Sequence, residues 1–156
     1  MGWWPWNKGK RFDHEAAEIL GTDLAGLVLA AAGGKGAAIT ADVNYLLLDD
    51  ERLREFVWKF YHPSVSYHSN SPEFPDCDDF SAMAKGSIIY GAVREGMRYC
   101  PAFGGIEYKT RRTGGWHAAN LAVTRAKRVL VFEPQSDNSG WRDFRDEVDE
   151  MRRVSF

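Results

Sequence analysis

The chain has 156 residues, 44% of them hydrophobic and 13% aromatic, which is enough for one domain with its own core and leaves two domains marginal. A formal charge of -2 with interspersed signs gives no basic field for nucleic acid, and two cysteines cannot staple a small secreted scaffold. No run approaches the roughly 20 apolar residues of a membrane span, and Met1 to Trp6 lacks the charged-then-apolar order of a secretory signal, so a soluble, cytoplasmic protein is expected; a nonclassical export route would leave no mark.

Trp3, Trp4 and Trp6 stand beside Lys8, Lys10 and Arg11, a composition that suits a partner surface or an arm laid on the body of the domain. From Asp13 to Ala32, apolar residues recur at helical spacing and stop at Gly33-Gly34, with Gly21-Thr22-Asp23 as a point where the helix can split. The Gly33-Gly34-Lys35-Gly36 run lacks the spacing of a phosphate loop and reads as a connection. Val43 to Leu48 is too brief to assign. Asp49 or Asp50 caps a helix whose apolar face is Leu53, Phe56, Val57 and Phe60, and His62-Pro63 ends it. Ser64 to Pro75 is a loop rich in Ser, Pro and Asn.

Asp76 and Asp79 have the spacing of a capping box, so Cys77 falls at the start of a helix running to Glu95 or Gly96. Along one side lie Cys77, Ser81, Ala84, Ile88 and Gly91 or Ala92, a stripe of small residues that lets a helix approach a sheet closely. The period then changes to two: Ile106 to Thr110, Trp116 to Thr124 and Arg128 to Glu133 read as strands, joined through 111–115 and a tight connection near 125–127. Trp141, Phe144, Val148 and Met151 predict a final amphipathic helix. Helices first and an antiparallel sheet afterwards make an α+β plan.

A thiol acts as a nucleophile in its ionised form, which a helix N-terminus favours, and Cys77 holds that position. Its base must come from elsewhere. His117 shares a strand face with Ala119, Leu121 and Val123, where the Cys77 helix is expected to pack. With a three-residue hairpin loop, Glu133 lies opposite His117 or one diagonal step away, close enough to orient the imidazole, and Gln135 has the same parity. Each residue alone also has a structural reading: a packed thiol, a satisfied core histidine, a solvated strand end. Cys100, before Pro101, lacks the helix start. His14, His62, His68 and His117 show no zinc spacing.

Asp-Cys-Asp-Asp-Phe at 76–80, His-Ala-Ala-Asn at 117–120 and Glu-Pro-Gln at 133–135 resemble the papain-like cysteine peptidases, and among them the peptidase domain of the fairy-ring mushroom agglutinin and its stand-alone relatives. The resemblance covers about the second half of the chain. With the tryptophans setting off an arm over 1–12, the resemblance implies one papain-like domain over 13–156, with a cleft between helical and sheet halves. It also implies a thiol protease hydrolysing a peptide or protein substrate through a Cys77–His117–Glu133 triad. No cofactor is required by the sequence; the resemblance makes calcium a candidate, with Asp78 and Asp79 as ligands. The sole glutamine, Gln135, lies downstream of the cysteine, so the oxyanion donor falls to the Cys77 N–H with Tyr67, His68 or Asn70. The alternatives are a cell-wall or transglutaminase-like amidase and a noncatalytic interaction module that uses the tryptophan arm.

Overall fold

A computed structural model describes residues 12, 16–62, 76–135 and 140–156. The Trp-rich arm up to residue 11 and the loop bearing Tyr67, His68 and Asn70 lie outside the described residues. In chain order the elements are β1 (Ala17–Leu20), α1 (Gly21–Ala31), β2 (Ala37–Ile39), β3 (Asn44–Leu47), α2 (Asp50–Phe60), α3 (Cys77–Glu95), β4 (Phe103–Thr110), β5 (Trp116–Val123), β6 (Val129–Glu133), β7 (Gly140–Asp143), α4 (Phe144–Glu147) and β8 (Val148–Ser155). A six-stranded sheet runs β2-β8-β4-β5-β6-β7, and β1 pairs with β3 apart from it. The fold is α+β, as expected. The large sheet is mixed rather than antiparallel, because β2 joins its edge parallel to β8.

The two faces of the sheet carry separate cores. Ile106, Tyr108, Ala119, Leu121 and Val131 face α1 through Leu24 and Val28. Phe103, Ala122 and Phe132 face α2 and α3 through Phe56, Ala84 and Ile88, with Phe12 packed edge-on against Phe56 at a centroid distance of 5.0 Å. Asp49 caps α2 by accepting from the Arg52 N–H. For α3 the capping box forms: Asp76 accepts from the Asp79 N–H and Asp79 accepts from the Asp76 N–H, while Gly96 closes the other end in the left-handed region at φ 66.

The small-residue stripe does what its pattern predicts. Ser81, Ala84, Ile88, Gly91 and Ala92 are the buried side of α3, and a Cβ on Gly105 would stand 3.2 Å from the Ser81 Oγ. Ser81 Oγ donates to the Ala119 carbonyl at 2.7 Å, and Asn120 Nδ2 donates to the carbonyls of Ser81 at 3.0 Å and Gly104 at 3.2 Å. Helix and sheet are thus joined by buried hydrogen bonds as well as by packing.

Two expectations from periodicity are corrected. In the stretch read as helical from Asp13, the described part is β1 followed by α1, the break falling at Gly21, whose missing Cβ leaves room for the Asp42 carbonyl. The final amphipathic helix is instead β7, the single turn α4, and β8. The physical reason is bulging. In β8, Val148, Met151 and Val154 pair with Thr110, Tyr108 and Ile106, so three-residue steps on one strand match two-residue steps on the other, with register shifts at each. Extra residues at bulges convert a period of two into a spacing that imitates a helix.

Gly104 tests how closely the strands approach: a Cβ there would press into the Ser155 backbone carbonyl. Gly104→Ala should cost about 1–3 kcal/mol by overpacking, measured by urea unfolding, whereas Gly26→Ala, at an open position on α1, should cost nothing measurable. Backbone chemical shifts over 148–155 should be strand-like, and helical shifts there would refute the bulged pairing.

Candidate functional site

The three residues singled out from the sequence come together at one end of the sheet. His117 is the second residue of β5 and Glu133 the last of β6. The hairpin between them turns through 125–127: Thr124 and Arg128 pair, and Lys127 takes the left-handed conformation at φ 59 that closes a three-residue loop. With Val123 opposite Val129 and Leu121 opposite Val131, Glu133 stands one diagonal step from His117. Its Oε2 meets His117 Nε2 at 2.6 Å, and its Oε1 accepts from the Gln135 N–H at 3.2 Å. Gln135 therefore supports the carboxylate through its backbone rather than replacing it.

The packing of the Cys77 helix differs from expectation. Its residues Ala84, Ile88 and Ala92 cluster with Phe103, Ala122 and Phe132, whereas His117 pairs with Tyr108 across from β4, on the face bearing Ala119 and Leu121. Helix and imidazole thus belong to opposite faces, and they meet because the first turn of α3 reaches the end of β5. The Cys77 side chain is a hydrogen-bond partner of His117. With Nε2 held by Glu133, the nitrogen left for the thiol is Nδ1.

The hydrogen bonds to Cys77 and Glu133 raise the His117 pKa to about 9, against an opposing effect of burial. The imidazole is therefore protonated at neutral pH and forms a charge-assisted pair with Glu133. Cys100, the other thiol, is pushed up to about 11, chiefly by burial. Asp78 is exposed, and its hydrogen bond with Asp76 raises its pKa and lowers that of Asp76. Asp79 is committed to the helix cap. Among the described residues no group of three or more His, Cys, Asp or Glu side chains is placed to hold a metal ion.

Beside the dyad lies a cavity of about 350 Å³, lined by Thr110, Arg112, Thr113, Trp116, His117, Glu133, Gln135, Arg142 and Glu147. Cys77 does not line it. The Trp116 side chain is largely exposed at its rim, with the Arg152 guanidinium 5.9 Å from the ring. Beneath the cavity Glu147 is buried. It accepts from the hydroxyls of Tyr108 and Thr110 at 3.1 Å each and from Arg142 at 3.0 Å. Burial pushes the Glu147 pKa upward, but the hydrogen bonds from Arg142, Tyr108 and Thr110 together outweigh it and keep the carboxyl below its usual range. The ring of Tyr108 meets His117 edge-on at 5.7 Å.

This second cluster escapes the sequence reading because Glu147 and Arg142 fall in the stretch whose bulges imitate a helix. Period-two parity over 106–110 does put Tyr108 and Thr110 on one face, and that was the available signal.

Solved structures share this fold. The "PSL1a-E64 complex" matches with a TM-score of 0.68 and 23% identity, covering 89% of this chain and 50% of that one. Polyporus squamosus lectin bound to the human-type influenza-binding epitope Neu5Aca2-6Galb1-4GlcNAc matches with a TM-score of 0.65 and 21% identity, covering 89% of this chain and 49% of that one. The chain thus spans about half the length of these solved structures. No protein-family model matches the chain, and no curated protein matches it.

These neighbours correct the expectation raised by the short motifs. Membership of the papain-like cysteine peptidases is overturned, and with it the cysteine hydrolase or thiol protease, its amidase alternatives, and the peptide or protein substrate: the structures matched include that of Polyporus squamosus lectin bound to a sialylated epitope. The Asp-Cys-Asp-Asp-Phe, His-Ala-Ala-Asn and Glu-Pro-Gln motifs are each short, and their order along the chain was a narrower basis than a fold compared over 89% of its length.

A raised imidazole pKa has a defined effect on stability. The protonated His117 stabilises the fold fully below its unfolded value of about 6.5, and that contribution disappears as the pH climbs through about 9. In NMR titrations the His117 ring should titrate near 9 in the wild type, fall part of the way in Glu133→Gln, and move toward about 6.5 only when Cys77→Ala is added, because Cys77 is the larger cause of the shift. The wild type should lose stability relative to Glu133→Gln between those pH values. A wild-type midpoint near 6.5 would refute the charge-assisted pair.

Proposed function

We propose that the chain is part of a glycan-recognising protein and that the cavity beside His117 and Glu133 receives the sugar. The observation that carries this reading is the lining of that cavity: polar side chains and an exposed indole converge on one concave surface. Sugar recognition requires both features, because hydroxyls are matched by planar, fixed donors and acceptors while the C–H face of the ring packs on an aromatic side chain. Arg112, Arg142, Gln135 and Thr113 offer the former, and Trp116 offers the latter. The trisaccharide bound by the Polyporus squamosus lectin, which is sialylated, supports the same class.

A second reading is favoured by the hydrogen-bonded order Cys77, His117, Glu133. In it these side chains form a reactive-thiol centre: His117 exchanges a proton with Cys77, and Glu133 fixes the ring so that one nitrogen faces the thiol. Cys77 is not among the residues lining the cavity, so this reading and ligand binding there are compatible.

Calorimetric titration with Neu5Acα2-6Galβ1-4GlcNAc, the trisaccharide bound by the Polyporus squamosus lectin, should give saturable binding weakened about tenfold in Trp116→Ala, the loss expected of one stacking contact. Absence of saturation at millimolar sugar would end the glycan reading. For the thiol, alkylation followed by intact mass should modify Cys77 at least about tenfold faster than Cys100, whose burial raises its pKa to about 11. His117→Ala should slow Cys77 selectively. Equal rates at the two cysteines would remove the reactive-thiol reading.

A further inference from the structure

The charges of the cavity are unequally satisfied. Both carboxylates in its lining already have each oxygen occupied from within: Glu133 by the His117 ring and the Gln135 N–H, Glu147 by Tyr108, Thr110 and Arg142. The cations are not used up in the same way. Among the described residues Arg142 shows one hydrogen bond, from Nη1 to Glu147, although a guanidinium carries five donors. Arg112 is exposed, and its guanidinium makes no hydrogen bond or ion pair among the described residues. His117 is held protonated by its neighbours, and Arg152 adds a cation at the Trp116 rim. Among the described residues the lining therefore has unused donors of positive sign, while both of its carboxylates already face partners from within.

Arg142 is also pre-set. Its carboxylate partner is 6% exposed and anchored by two hydroxyls from β4, so the guanidinium meets a ligand with one edge fixed and less side-chain freedom to lose. A planar fork held in this way matches the two oxygens of a carboxylate, and the flanking Arg112 can close on the same group.

We propose that Arg112 and Arg142 form a carboxylate-binding subsite, so that the cavity selects acidic ligands over their neutral counterparts. This deepens the glycan reading by naming the acidic class of sugar, and the identity of the ligand rests on that reading. The subsite itself rests on the arginines.

The two can be separated by observing the Arg112 and Arg142 Nε–H signals in the full chain by NMR at fixed pH and salt. One titration uses N-acetylglycine against its neutral methylamide; the other uses the sialylated trisaccharide against its methyl ester. Saturable shifts at both arginines with each acid, at least tenfold weaker with each neutral form and weakened at least fivefold by Arg112→Gln, support the subsite. Arg112 is exposed and unpaired among the described residues, so its replacement leaves the buried Glu147 network intact. Response to N-acetylglycine with none to the trisaccharide keeps the subsite and ends the glycan reading. Equal binding of the trisaccharide and its ester overturns the subsite and keeps glycan binding. Arginine signals that stay still with both acids overturn the subsite outright.

Discussion

The close docking of α3 on the sheet is the constraint from which the site follows. A helix with bulky side chains on that face would stand several ångströms farther from the strands, and Cys77 would then end beyond the reach of His117. Ser81, Ala84 and Gly105 remove that bulk, and the Asn120 amide draws the two layers together by donating to the carbonyls of both Ser81 and Gly104. Hydrogen bonds of this kind add only about 1 kcal/mol each in net terms. Their larger contribution is direction, since a buried amide that satisfies two carbonyls at once tolerates little sliding between helix and strand. Position 77 is one turn before Ser81, so the register fixed at Ser81 carries to the thiol.

Electrostatics gives the end of the sheet its second property. Burial by itself would disfavour every charge there, yet His117, Glu133, Arg142 and Glu147 share the same small region. Each carboxylate is matched with a cation and also takes a neutral donor: Gln135 N–H for Glu133, the Tyr108 and Thr110 hydroxyls for Glu147. Pairing alone seldom offsets the desolvation of two ions, and the additional hydrogen bonds are what make such a cluster tolerable. Tyr108 joins the two pairs, because its hydroxyl reaches Glu147 while its ring lies against His117.

Where local chemistry and period agreed, the sequence was legible. Asp49 and Asp76 marked helix starts that the caps realise, Gly96 marked a stop, and the parity of His117 and Glu133 across a three-residue loop placed them in contact. Two things were hidden for physical reasons. The strand pairing of 148–155 was masked by bulges, which make three-residue spacing a property of the pair of strands rather than of either sequence. The face on which the Cys77 helix packs was ambiguous because both faces of β5 are apolar: Ala119 and Leu121 serve one core, Ala122 the other. Amphipathic reasoning cannot choose a side for a helix when a strand is buried on both.

The function assigned from short motifs shows a separate limit. Residue order along a chain reports which side chains can meet, and here Cys77, His117 and Glu133 do meet; it does not report what approaches them. A fold hosts sites as a scaffold, and neither a likeness of 21–23% in identity nor a trio of side chains transfers a ligand by itself. What separates the readings is which side chains each one uses. The thiol is tied to the site through His117, whereas the cavity is lined by Arg112, Arg142 and Trp116 together with His117 and Glu133. His117 and Glu133 are common to both, and Cys77 is not among the residues that line the cavity. A ligand read through the arginines and a thiol read through alkylation therefore report on different residues, and neither reading is a premise of the other.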